Sequence, residues 1–131
     1  MFGINSRGVN EYARISVETG VAAANPHRLI VMLYEGAITA CNSSLLHMRS
    51  QDFAQKGAAL SKAIMIIESG LRISLDKKAG GEIAESLDAL YAYMSNRLYI
   101  ANLKNDEEPV LEVIKLMGDL KSAWEAIPAQ A

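Results

Sequence analysis

Cysteine is almost missing from this 131-residue chain. Cys41 stands alone, so no internal disulfide is available and the fold must rest on its apolar core. Proline occurs only at positions 26, 109 and 128, and no apolar–polar alternation of period two persists, which leaves long uninterrupted stretches for helix and little basis for strands. An excess of one sign of charge is missing too. Thirteen Lys and Arg stand against fifteen Asp and Glu, for a net charge of −2, with no basic patch or long charged run, which argues against a nucleic-acid surface. The opening "MFGINSRGVNEY" has no unbroken apolar region of the kind a secretory leader carries. Nowhere do about eighteen apolar residues follow one another without polar interruption. The expectation is a protein of the reducing cytoplasm, neither exported by the general route nor inserted in a membrane. No Glu is followed by His three positions later, and neither GxxxxGK[ST] nor GxGxxG occurs, so no metal, cofactor or phosphate cradle is expected.

What is present is apolar content. Half the residues are hydrophobic, enough for one domain with a genuine core. Asn25 is an N-cap and Pro26 suits the first helical position, where its missing N–H is no loss, so a first long helix runs from Pro26 to about Met48. Asp52 caps a second helix, whose seam is Phe53, Gly57, Leu60, Ile64, Ile67, Leu71 and Leu75 and which stops near "DKKAGG". After Gly80 and Gly81 a third helix carries Ile83, Leu87, Leu90, Met94, Leu98 and Ala101 and ends between Asn102 and Asn105. Asp106 caps a fourth. Glu107 and Glu108 suit its positive end, Pro109 is tolerated in its first turn, and its seam is Val110, Val113, Met117, Leu120, Trp124 and Ile127. Four amphipathic helices with short connections predict an all-α fold, an antiparallel up-down-up-down four-helix bundle over residues 26–131. Residues 1–25 form a separate segment in which Val9, Tyr12 and Ile15 share one face of a short helix or extended stretch. Too short to be stable alone, it needs the outside of the bundle to dock on, and could cap a binding groove there.

The run Leu29-Ile30-Val31-Met32-Leu33-Tyr34 poses the main question, because six consecutive apolar side chains point all round a helix. Leu29, Met32, Leu33, Gly36, Ala37 and Ala40 suffice for a core face. Ile30, Tyr34, Ile38, Cys41 and Leu45 make a further stripe, leaving Arg28, Glu35, Thr39 and Asn42 as a narrow polar band. The second helix repeats the theme with Ala59, Ala63, Ile66, Gly70 and Ile73 off its seam, and the third adds Ala89, Tyr93 and Ile100. Two readings follow. The extra stripes rest on adjacent helices, or they form grooves for an amphipathic partner helix, with Tyr12, Ile30, Tyr34, Ile38, Ala59, Ala63, Ile66, Gly70, Ile73 and Tyr93 as contacts.

The chemically active residues favour bland roles. Cys41 lacks a cationic helper. His27 reads as solvated, His47 as the complement of a helix end with a phosphoryl acceptor as the sharper alternative, and Trp124 as core. Tyr34, Tyr91, Tyr93 and Tyr99 fit either core edges or contacts.

The segments "ANPHRLIVMLYEGAI", "SLDKKAGGEIAESLDALYAYMSNRL", "IANLKND" and "LKSAWEAI" resemble, in order and spacing, the flagellar export chaperones of the FliS family, over Tyr12 to Trp124. The resemblance implies a four-helix bundle of the cytoplasm, without enzymatic activity. It would bind the disordered C-terminal region of flagellin, keep it from polymerising early and help present it to the flagellar type III export gate. It further implies that the client wraps the chaperone in an extended path, gaining helical segments, and that the N-terminal tyrosine, Tyr12 here, lies over the client site in the free protein. Two other functions remain beside it: a phosphotransfer domain using His47, and a structural bundle that self-associates through its stripes.

Overall fold

The computed structural model describes residues 25–128. Tyr12 and the rest of the expected N-terminal segment, up to residue 24, lie outside the described residues, and with them the expected separation of segment from bundle. Four α-helices follow one another: α1 (Pro26–Arg49), α2 (Phe53–Ile66, continued by a π-helical stretch Ile67–Arg72), α3 (Lys77–Lys104) and α4 (Glu107–Glu125). Among the described residues there is no strand, and the fold is an all-α bundle.

The helix starts are chemical. Asn25, Asp52, Asp76 and Asp106 each accept a backbone N–H of the first turn through the side chain, satisfying donors that the helix leaves unpaired. At the end of α3, Asn105 takes the left-handed conformation, φ 52°, which a short polar side chain tolerates. The connections are tight, so consecutive helices run antiparallel. Arg49 pairs with Glu107 at 2.9 Å, the end of α1 beside the start of α4. Lys56 donates to the Asn102 carbonyl at 3.0 Å, the start of α2 beside the end of α3. Helix α1 packs on α2 and α4, and α3 on the same two, while α1 and α3 stand diagonally.

That ring answers the question raised by the six-residue run. Leu29, Ile30, Val31, Leu33 and Tyr34 are all buried, as are Cys41 and Leu45, because α1 has an apolar neighbour on both flanks and Tyr91 of the diagonal helix in front. By composition α1 is long and apolar enough to cross a membrane, but 56% of its apolar window is buried inside the bundle, as in a core helix. The expected exposed stripe on α1 is therefore corrected. Ile30 and Tyr34 are interior, and only Ile38 is half-buried. On α2 the same correction applies to Ala63, which has no exposed surface, and to Gly70. A Cβ on Gly70 would come within 2.9 Å of a Leu33 methyl, so any larger residue at this point of the α1–α2 contact makes the Leu33 side chain shift.

Two boundaries also differ from expectation. Helix α2 ends at Arg72 rather than near "DKKAGG". The segment from Lys77 is a first helical turn capped by Asp76, broken from the rest of α3 at Gly81 with φ 52° and ψ −128°, a conformation that only glycine adopts readily.

Candidate binding groove

The early end of α2 exposes the seam of its neighbour. Arg72 bonds Asp88 at 2.6 Å and Glu68 bonds Ser95 at 2.8 Å, which fixes the antiparallel register of α2 on α3. Residues of α3 before Asp88 therefore extend past the end of α2. Ile83, expected in the core, is 52% exposed, and Leu87 and Leu90 are half-buried. At the same end of the bundle α4 reaches the start of α1. His27 stacks on Trp124 with ring centroids 5.5 Å apart, its Nε2 lies 2.8 Å from the Trp124 carbonyl oxygen, and the indole N–H donates to the His27 carbonyl at 3.0 Å. This corrects the solvated reading of His27. Leu120, Ala123 and Trp124 of α4 around this clasp, with Ile127 just past the helix end, face Ile83 and Leu87 across a hollow of about 300 Å³ with Tyr34 at its floor. A shallower hollow of about 350 Å³ continues over Ile83, Ser86, Leu87 and Leu90. The first hollow is almost wholly apolar, as suits a helix-binding groove, and the second brings in Glu82 and Ser86 beside its apolar residues.

Polar links hold its walls apart and together. Glu112 of α4 accepts from the Tyr93 hydroxyl at 2.6 Å and from Arg97 at 2.7 Å, joining α3 to α4 further along the same side. These two donors hold the Glu112 carboxyl below the usual carboxylate range. Below the groove, Asp88 takes Arg72 and Lys77 together, and the Arg72 hydrogen bond pulls its carboxyl down in the same way.

Of the residues singled out in the sequence, Tyr34 reaches the groove floor and Ile30 lines a small cavity beneath it. Tyr93 is exposed on the α3–α4 side. Ile66 is half-buried, and its Cδ1 stands against Gly36 on the opposite, α1–α2 side. Ala59 on α2 and Ile73 just past its end are half-buried. The structure does not bring these residues into one surface. Ile83, Leu87, Leu90, Leu120, Ala123 and Ile127 form the hollow instead. All but Ala123 occupy seam positions in the sequence. The signal for them was the point where α2 stops, which helical periodicity does not locate.

A family model described as flagellar protein FliS matches residues 8–131. The chain belongs to the FliS family. Among similar FliS proteins, the flagellar secretion chaperone of Salmonella typhimurium is 46% identical over 124 residues, covering 95% of this chain and 92% of its own. That of Escherichia coli is 44% identical over 119 residues, covering 91% and 88%. The flagellar secretion chaperone FliSB of Pseudomonas aeruginosa is 40% identical over 121 residues, covering 92% and 95%.

The two candidate nucleophiles of this FliS chain, Cys41 and His47, both lie in α1. Cys41 is buried, and burial pushes its thiol up to about 12, far from a reactive thiolate. His47 sits half-buried in the last turn of α1, at the negative end of the helix. Among the described residues no three His, Cys, Asp or Glu side chains are grouped to hold a metal ion.

Proposed function

We propose that this FliS-family chain is a cytoplasmic, non-enzymatic export chaperone whose α3–α4 groove receives a helical segment from the C-terminal region of a flagellin. The observation that carries this reading is the apolar hollow between Ile83 and Leu87 on one wall and Leu120, Ala123 and Ile127 on the other. A segment with helical apolar patterning that cannot bury its own face stays disordered alone and orders on such a surface. Sequestered there, it is unavailable for polymerisation until the complex reaches the flagellar type III export apparatus.

The rest of the client path follows exposed apolar side chains. Leu46, Phe53, Leu103 and Leu111 are exposed at the end of the bundle away from the groove, and Tyr93 and Tyr99 along α3. An extended client touching both ends spreads its contacts over a wide surface. The N-terminal segment, with Tyr12, competes for the groove in the free protein as an intramolecular cap on a separate 26–131 bundle.

Co-purification with a flagellin that carries or lacks its C-terminal segment tests the proposal. Capture should require the segment. Equal retention of both forms would refute the assigned mode of binding.

A further inference from the structure

Beneath the groove lies a cavity of about 20 Å³ lined by Ile30, Tyr34, Ser74, Tyr91 and Trp124 with neighbouring leucines. Its size is that of one polar atom, since a water molecule needs roughly 10–15 Å³ of such space. Two of the lining side chains are almost fully buried phenols: Tyr34 and Tyr91 are each 2% exposed, and their hydroxyl oxygens are 2.6 Å apart. Burial raises both phenols above their usual range, so each keeps its proton at neutral pH.

The count of protons is then simple. Two O–H groups share one hydrogen bond, in which one donates and the other accepts. The accepting hydroxyl still carries a proton of its own. Ser74 is not bonded to either phenol; its hydroxyl donates to the Gly70 carbonyl. Among the described residues neither phenol has another partner. A buried donor without an acceptor is costly, and an otherwise apolar groove gains selectivity by having such a donor to satisfy.

We propose that the Tyr34–Tyr91 pair is a polar reading point under the groove, which selects a bound helix carrying one side-chain oxygen acceptor, from Ser, Thr, Asn or Gln, amid its apolar residues. This deepens the chaperone reading and rests on it. One phenol of the pair donates its free proton to that oxygen, and a wholly apolar helix leaves the proton unmatched. The groove thereby prefers one register of one segment, which hydrophobic burial alone, being non-directional, does not impose.

A double-mutant cycle tests it. The probe is the C-terminal segment of the cognate flagellin, with each Ser, Thr, Asn and Gln replaced by Ala in turn, titrated calorimetrically into wild type and into the double variant Y34F/Y91F. Removing both hydroxyls together deletes donor and acceptor at once, so the variant should fold and melt close to wild type. One client position should weaken wild-type binding roughly three- to tenfold and have no effect on the double variant. Should the double variant fail to fold, Y34F and Y91F are run singly, and at least one must abolish the effect. The same client dependence in every background, or none in wild type, overturns the reading point and leaves the chaperone proposal standing. Failure of wild type to bind the segment at all overturns both.

Discussion

Replacing Ala63 and Ala123 separately by glutamate distinguishes the core from the groove. Ala63 has no exposed surface and lies where α2 meets the rest of the core. Glu there overpacks the interior at about 1–3 kcal/mol, and burial of its carboxylate adds a further penalty of similar or larger size. With a domain stability of about 5–15 kcal/mol, A63E should lose about 3–5 kcal/mol at pH 7, a fall in the urea midpoint on the order of 2 M. The introduced carboxyl has a folded-state pKa above its unfolded value of about 4.3, because burial disfavours the charge. The deficit should therefore be smallest below that pH and grow as pH rises through the folded pKa. Ala123 is exposed on the groove wall. A123E should melt within about 0.5 kcal/mol of wild type. Its affinity for the flagellin segment should fall at least about thirtyfold, the equivalent of about 2 kcal/mol for covering a charge with an apolar helix. Urea melts followed by circular dichroism, with calorimetric titration of the segment, read both arms. Wild-type stability in A63E, or wild-type binding by A123E, would refute the placement of core and groove.

Other expectations follow from single side chains. Asp88, held down by Arg72 and 20% exposed, stabilises the α2–α3 contact above its unfolded pKa, and this is lost as pH falls through its lower folded pKa. D88N should lower the unfolding free energy read from urea melts at pH 6 by no more than about 1 kcal/mol and have little effect near pH 2, and an equal effect at both would contradict the pairing. Cys41, with its thiol at about 12, should resist alkylation in the native protein and react only in denaturant, as mass spectrometry would show. Gly81 at φ 52° should tolerate no side chain without strain, so G81A should lower stability by about 1–3 kcal/mol, measured by thermal melting, despite the open space around it.

The bundle was legible because its signals are local. Asn25, Asp52 and Asp106 cap the helices that they announce, and Leu60, Ile67, Leu98 and Met117 occupy the interior that their spacing assigns. The groove was not, since exposure at a seam position depends on where a neighbouring helix ends. Phe53 and Ile83 sit on perfect seams, yet each is more than half exposed, at 55% and 52%. The reverse error arose on α1, where Ile30 and Tyr34 read as surplus. A helix flanked by two apolar neighbours buries a wide arc, and the wheel does not show how many neighbours there are. The end of α2 escaped because the π-helical stretch Ile67–Arg72 carries no breaker that helical periodicity would register. The clasp between His27 and Trp124 could not be read from local spacing either, the two being 97 positions apart, although Trp124 is in the core as its seam position assigns.

The central claim is that an apolar helix from the client lies between α3 and α4 over Tyr34. Methyl-resolved NMR of the chain, with and without the flagellin C-terminal segment, tests it directly. Perturbation of Ile83, Leu87, Leu120 and Ile127, with Ile66 on the opposite side little changed, is the predicted result. Shifts centred on Ile66 and Ile38, with the α3–α4 methyls unmoved, would contradict it.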